Sequence, residues 1–184
     1  MIEISDSELD SFLEHSKIKI AKLQEILNTT GEVTNDIYFI NTGILRAFIT
    51  DTEGTEHSIH FALENQFISD YSNFMTKTTF VTSLQALEKT ELIVIPRKRI
   101  EYGYANLKEG QKLGRLIAEF YFIYQNNRII NQYARTPKQR YDSITEVFPN
   151  THNRVPQYMI ASYLGISPIH LSRLKKAEFI KNKS

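Results

Sequence analysis

The chain has 184 residues, 41% hydrophobic and 23% charged, the composition of a soluble globular protein with ample length for a core. Cysteine is absent, which excludes disulfides, thiolate zinc sites and cysteine-ligated iron–sulfur clusters. No signal peptide is visible and no apolar run approaches the ~20 residues that span a bilayer, so the expected location is the cytoplasm, with no membrane partner.

The net charge of +1 is unevenly spread. From Arg135 onward nine Lys and Arg residues face three acids, a net of +6, which leaves the preceding part 13 bases and 18 acids, a net of −5. A basic C-terminal module on an acidic body matches a nucleic-acid footprint confined to one end; for the last few residues a solvated basic tail suffices.

Ser5 with Glu8 predicts a capping box opening a short helix through Phe12 and Leu13. From Lys17 the pattern changes, with Ile18 and Ile20 alternating with lysines. Tyr38 to Ile40, Ile44 to Ile49, Ser58 to Ala62, Phe80 to Leu87 and Glu91 to Ile95 read as short strands. Turn signals separate them at Thr30-Gly31, Asn41-Thr42-Gly43 and Asp51 to Gly54. Strands this short and evenly spaced predict an antiparallel barrel or jelly roll over residues 17 to 95.

From about Asn106 the period becomes that of a long helix. Leu113, Leu116, Phe120, Ile123, Asn127, Ile130 and Ala134 are separated alternately by three and four residues, an a/d seam held for about three heptads. Asn127 falls on an a position, where one polar residue fixes register and two-strandedness. Ile117 and Tyr124 widen the stripe and fit a helix packed on its own domain, yet a seam this long needs a partner. Thr136-Pro137-Lys138-Gln139 ends this helix and opens another by a capping box with proline at its first position. Tyr141, Ile144, Val147 and Phe148 form the second helix's buried face, Pro149 closes it, and a polar loop follows.

Arg154 to Lys176 then fits two short helices around a turn of about three residues, the spacing of a helix-turn-helix. Pro156 suits the first turn, Ile160 and Leu164 share one face, and Ala161 leaves room for the second helix. Gly165 is the expected left-handed cap, and Ser167-Pro168 restart the chain as N-cap and first helical residue. Leu171 and Leu174 turn inward, leaving Ile169, His170, Ser172, Arg173, Lys175 and Lys176 mostly outside. An ordinary helical hairpin of a core shares part of this pattern; the basic outer face does not belong to it.

The VPQYMIASYLGIS run resembles the DNA-reading segment of Crp/Fnr-type bacterial transcription regulators. DIYFINTGILRAF is similar to that superfamily's early strand pair, and FISDYSNF with SLQALEKTELIVI to its later roll segment. The resemblance implies an α+β fold: a cyclic-nucleotide-binding-like antiparallel jelly roll (1–105), a long dimerisation helix (106–135) and a C-terminal helix-turn-helix domain (136–184). Only Ala177 to Ser184 follow Lys176, fewer than the β-hairpin wing usual there requires. Arg173, Ile169 and Pro168 match the family's base-reading positions. Of these only Arg173 can form a side-chain hydrogen bond with a base, and the other two are left with apolar contact. Ser167, His170, Lys175 and Lys176 are placed for phosphates.

In the family's cyclic-nucleotide-binding members a Gly-Glu pair opens a short helix facing the phosphate, and an Arg-Ser or Arg-Thr pair neutralises it. Here Ser69-Asp70, followed by Tyr71, stands for the first pair, and Phe80-Val81, followed by Thr82, for the second. These six residues are the expected effector pocket. No Lys or Arg lies from Thr78 to Glu88, although Lys77 is close, so a buried cyclic phosphate would be an unpaired anion and cyclic nucleotides are not expected to bind. A rival reading, a metalloenzyme built on a similar roll, would need His57, His60 and Glu64. Cupin ligands follow His-x-His, whereas these histidines are three apart and point to opposite strand faces. No enzyme activity, metal or cofactor is expected.

The expected function is a homodimeric transcription regulator on palindromic double-stranded DNA, with RNA polymerase and an unidentified small-molecule effector as further candidate partners. The alternative is a small-molecule-binding β-roll whose C-terminal helices make protein contacts.

Overall fold

The computed structural model describes residues 3–28, 31, 33, 35–79, 81–148 and 151–181. Helix α1 (Asp6–Leu13) starts on a complete capping box, with the Ser5 side chain accepting from the Glu8 amide and the Glu8 carboxylate from the Ser5 amide at 3.1 Å. Its C-terminal carbonyls of Ser11 and Phe12 accept from Arg99, a cation at the negative end of a helix.

Eight strands follow: β1 (Lys17–Ala21), β2 (Ile26–Asn28), β3 (Asp36–Thr42), β4 (Leu45–Thr50), β5 (Glu56–Ala62), β6 (Phe67–Ile68), β7 (Ser83–Ala86) and β8 (Thr90–Pro96). They form two antiparallel four-stranded sheets, β1-β8-β3-β6 and β2-β7-β4-β5. Alternation sends Tyr38, Ile40, Ile68 and Leu92 of the first sheet against Leu45, Ala47, Ala62, Leu84 and Ala86 of the second, closing the roll's core. Gly43 turns β3 into β4 at φ 104°; a Cβ there would lie 2.4 Å from the Thr90 hydroxyl, so glycine is required.

Three departures from the sequence reading stand out. The strand expected over Phe80 to Leu87 is shortened to β7, and Phe80 and Pro149 lie outside the described residues. Strands β2 and β6 and helix α2 (Tyr71–Thr76) were not expected; elements of two to six residues are too short to show a period. The long helix does not run from Asn106. Helix α3 (Arg97–Asn106) ends first and α4 (Gly110–Ala134) begins after an elbow, where a Cβ on Gly110 would lie 2.0 Å from the Gly103 carbonyl oxygen.

Helix α5 (Pro137–Val147) starts on the predicted box at Thr136, with Gln139 reaching back to the Thr136 amide at 2.9 Å. The polar loop after it contains a short helix, α6 (Thr151–Arg154), whose Thr151 is fully buried. Helices α7 (Gln157–Leu164) and α8 (Pro168–Lys181) complete the chain. Tyr141, Ile144, Phe148, Met159, Ile160, Leu164 and Leu171 of this helical part form a second core with Ile44, Phe61, Leu63 and Leu87 of the roll. The helices are therefore welded to the outer face of the β2-β7-β4-β5 sheet.

Helix α4 carries two stripes. Tyr121, Tyr124 and Arg128 turn inward: Tyr121 donates to the Phe67 carbonyl, Tyr124 packs on His60, and Arg128 reaches the Ser58 carbonyl. Along the predicted seam Leu113 is half-buried and Leu116 and Asn127 are exposed, while Phe120, Ile123 and Ile130 are 63%, 58% and 49% exposed. The packing at home expected from Tyr124 is present on one flank of the helix, and the stripe expected to meet a partner is exposed on the other.

Candidate nucleic-acid interface

The helix-turn-helix is built from local chemistry. Gly165 ends α7 in the left-handed conformation at φ 64°. Its amide bonds the Ser162 carbonyl at 3.1 Å and the Ile166 amide bonds that of Ala161 at 3.0 Å, satisfying the helix's last carbonyls. The Ser167 hydroxyl then accepts from the His170 amide at 3.2 Å, capping α8. Ala161 is fully buried between the two helices and Leu171 nearly so, so the angle between α7 and α8 is set by packing. Pro156 takes the N-cap position of α7 rather than its first turn.

This geometry leaves Ser167, Pro168, Ile169, His170, Ser172, Arg173 and Lys176 exposed on one helix, with Ile169 68% exposed. Lys175 differs: it is half-buried and its Nζ donates to the Gln157 side chain at 3.0 Å, tying α8 to the start of α7. No acid pairs with Arg173 or Lys176 among the described residues.

The other side of α7 is fastened to the roll. Arg154 bridges Glu64 at 2.6 Å and Glu88 at 2.5 Å, and its guanidinium beside Glu64 holds that carboxyl down to about 2. The Ser58 amide donates to the Ser162 hydroxyl at 2.9 Å. Tyr124 links His60 at 2.9 Å to the Tyr163 hydroxyl at 3.1 Å. Burial among these rings, with Arg128 nearby, pushes the His60 imidazole down to about 3, so it stays neutral. Sequence reasoning missed this set. Its partners lie 39 to 104 residues apart, and no local pattern relates them.

At the expected effector segment, Asp70 caps α2. Its carboxylate accepts from the Asn73 amide at 3.4 Å, the Asn73 side chain at 2.9 Å and the Thr82 amide at 3.3 Å. The two halves of the expected pocket are thus brought together by a carboxylate. Ser69 turns to the Asp36 carbonyl, Tyr71 stacks on Phe74, and Val81 is 63% exposed. A phosphate in this position would meet the Asp70 charge as well as lacking a cation. Isothermal calorimetry is expected to show no binding of cyclic AMP or cyclic GMP at physiological concentrations. Micromolar affinity for either would overturn this reading.

The two histidines have different surroundings. His57 pairs with Asp51 at 2.7 Å on the β4–β5 turn, while His60 is in the second core. Glu64 is engaged by Arg154 and the Gly43 amide. No group of His, Asp or Glu able to hold a metal occurs among the described residues, and none of their helices is long and apolar enough to cross a membrane.

A cyclic nucleotide-binding domain family model matches residues 19–105. No curated protein sequence matches the chain. Among solved structures, FixK2 from Bradyrhizobium japonicum aligns with a TM-score of 0.78 at 12% identity, covering 91% of this chain and 86% of that one. The c-di-GMP responsive global regulator CLP of Xanthomonas campestris aligns at 0.72 and 13% identity, covering 97% and 93%. A protein described as a transcriptional regulator of the crp/fnr family from Eubacterium rectale gives 0.70 and 14%, covering 97% and 85%. Residues 19–105 thus match the cyclic nucleotide-binding domain model, and the chain as a whole, with roll, long helix and helix-turn-helix in this order, shares the fold of these solved structures.

Proposed function

We propose that the protein is a sequence-specific DNA-binding transcription regulator that acts as a homodimer in the cytoplasm, with a roll that does not read cyclic nucleotides. The observation that carries this reading is α8: a helix with an exposed basic, polar face on which no acid pairs with Arg173 or Lys176 among the described residues, held at a fixed angle by the Gly165 turn. The exposed seam of α4 supports the dimer, since two copies joined there present two such helices to one duplex. RNA polymerase and a small-molecule effector are further partners in the same reading.

Arg173 and Lys176 separate base reading from phosphate contact. On the best duplex from a random library, Arg173→Ala is expected to lose about 1–3 kcal/mol and to relax preference at one base pair per half-site. Lys176→Ala is expected to weaken all sequences alike and to flatten the salt slope by about one unit. Equal loss on matched and mismatched duplexes for Arg173→Ala would remove its reading role. If wild-type affinity showed no dependence on DNA sequence or salt, the helices would instead serve protein contacts.

A further inference from the structure

Helix α7 is fixed to the roll at both ends. Arg154, the last residue of α6, stands just before α7 and forms a fork with Glu64, Nη1 donating to one carboxylate oxygen at 3.1 Å and Nη2 to the other at 2.6 Å. The same guanidinium takes Glu88, with Nε and Nη2 donating at 3.4 and 2.5 Å. Both acids are anchored on turns of the roll. Glu64 also accepts from the Gly43 amide at 2.9 Å, and Glu88 follows Leu87, whose amide donates to the Ile44 carbonyl at 3.0 Å. Toward the other end of α7 the Ser162 hydroxyl accepts from the Ser58 amide of β5 at 2.9 Å, and the Tyr163 carbonyl accepts from the Gln132 side chain of α4 at 3.2 Å.

Between these points the contact is apolar, with Met159, Ile160 and Tyr163 in one core with Phe61 and Leu63 of the roll. Apolar burial is non-directional, so it resists separation of the two surfaces more than rotation of one on the other. A bidentate Arg–carboxylate pair adds geometric specificity. The Arg154 fork therefore sets the direction of α7, and without it the links at Ser162 and Tyr163 act as a pivot. Helix α8 follows α7, because Ala161, Gly165 and Leu171 fix the angle between them. The roll in turn is tied to α4 through Tyr121 on Phe67 and Tyr124 on His60. A bonded path thus runs from α8 through α7 and the roll to the exposed seam of α4.

We propose that Arg154, held by Glu64 and Glu88, is a positioning residue that selects the spacing between the two half-sites of an operator without touching DNA. This rests on the reading of the chain as a homodimer that places two α8 helices on one duplex. One base pair added between half-sites moves one of them by about 3.4 Å and turns it by about 35° around the duplex axis. A reading helix whose support is fixed at both ends does not follow that change, and one on a pivot does. Arg154 is engaged by two carboxylates, more negative charge than it carries, so it is not a phosphate contact.

The test uses the full chain on duplexes that carry two inverted copies of its selected half-site, separated by spacers of varied length. The wild type is expected to bind its best spacing at least about tenfold tighter than spacings one base pair longer or shorter. In Arg154→Met, and in a Glu64→Gln, Glu88→Gln double variant, that ratio is expected to fall below about threefold. The half-site sequence each variant selects is expected to stay that of the wild type, because α8 is unaltered. Circular dichroism confirms that each variant is folded, and if Arg154→Met is not, the isosteric double variant decides. Variants as selective for spacing as the wild type would overturn the proposal, as would a wild type indifferent to spacing. Broadening in one folded variant but not in the other would also overturn it, since the residue would then act by a route other than the fork. A wild type that selects no half-site at all would instead remove the DNA-binding reading beneath the proposal.

Discussion

Replacing Phe120 and Ile123 together with glutamate is expected to turn a dimer into monomers. Both side chains are more than half exposed on the outer stripe of α4, while the inner stripe of Tyr121, Tyr124 and Arg128 is already occupied by the roll and α7. The seam is thus unsatisfied within the chain, and a parallel copy of the same helix covers it with a/d packing. Burying four such side chains, two from each copy, contributes roughly 6–12 kcal/mol, comparable with the ~8 kcal/mol of a micromolar dimer. The double substitution removes that term and places four carboxylates at the centre of the seam. Since both positions face outward, each monomer keeps its fold. Sedimentation velocity at micromolar concentration checks this, and a native protein that sediments as a monomer would contradict it.

The second large effect is on stability. Phe148 is 1% exposed and its ring sits 5.7 Å from Phe61 of the roll, 5.4 Å from Tyr163 of α7 and 6.3 Å from Tyr124 of α4. Phe148→Ala opens a cavity where roll, long helix and helix-turn-helix meet, at about 3–5 kcal/mol. For a chain of this size the melting midpoint falls by roughly 6–20 °C. Because the three parts share this core, sheet and helices are expected to lose cooperativity together. Calorimetry in which the roll melts at its native temperature, after a separate transition of the helices, would show that the shared core does not couple them.

What could be read in advance was whatever the chain encodes locally. The boxes at Ser5–Glu8 and Thr136–Gln139, the Gly165 reversal and the Ser167 cap each depend on neighbours within five residues. The two-stripe character of α4 was legible as a conflict: the heptad seam predicted a partner, and Ile117 and Tyr124 predicted packing at home. The unread features are those made by distant pairs. Nothing near Arg154 announces Glu64 and Glu88, and nothing near His60 announces Tyr124. Asp70 was aligned with a phosphate-facing position, yet its bond to the Thr82 amide depends on how α2 and the segment before β7 fold together. Lys175 looked like a phosphate contact on helical spacing alone, and its bond to Gln157 emerged only with the turn in place.

The most direct test of a dimer presenting two α8 helices to DNA is selection from random duplexes, with the enriched sequence read for symmetry. The expected winner is an inverted repeat with half-site centres about 10 base pairs apart, or a multiple of that, because each half-site receives one helix in successive major grooves. Enrichment of no sequence, or of a single half-site without its inverted copy, would contradict it.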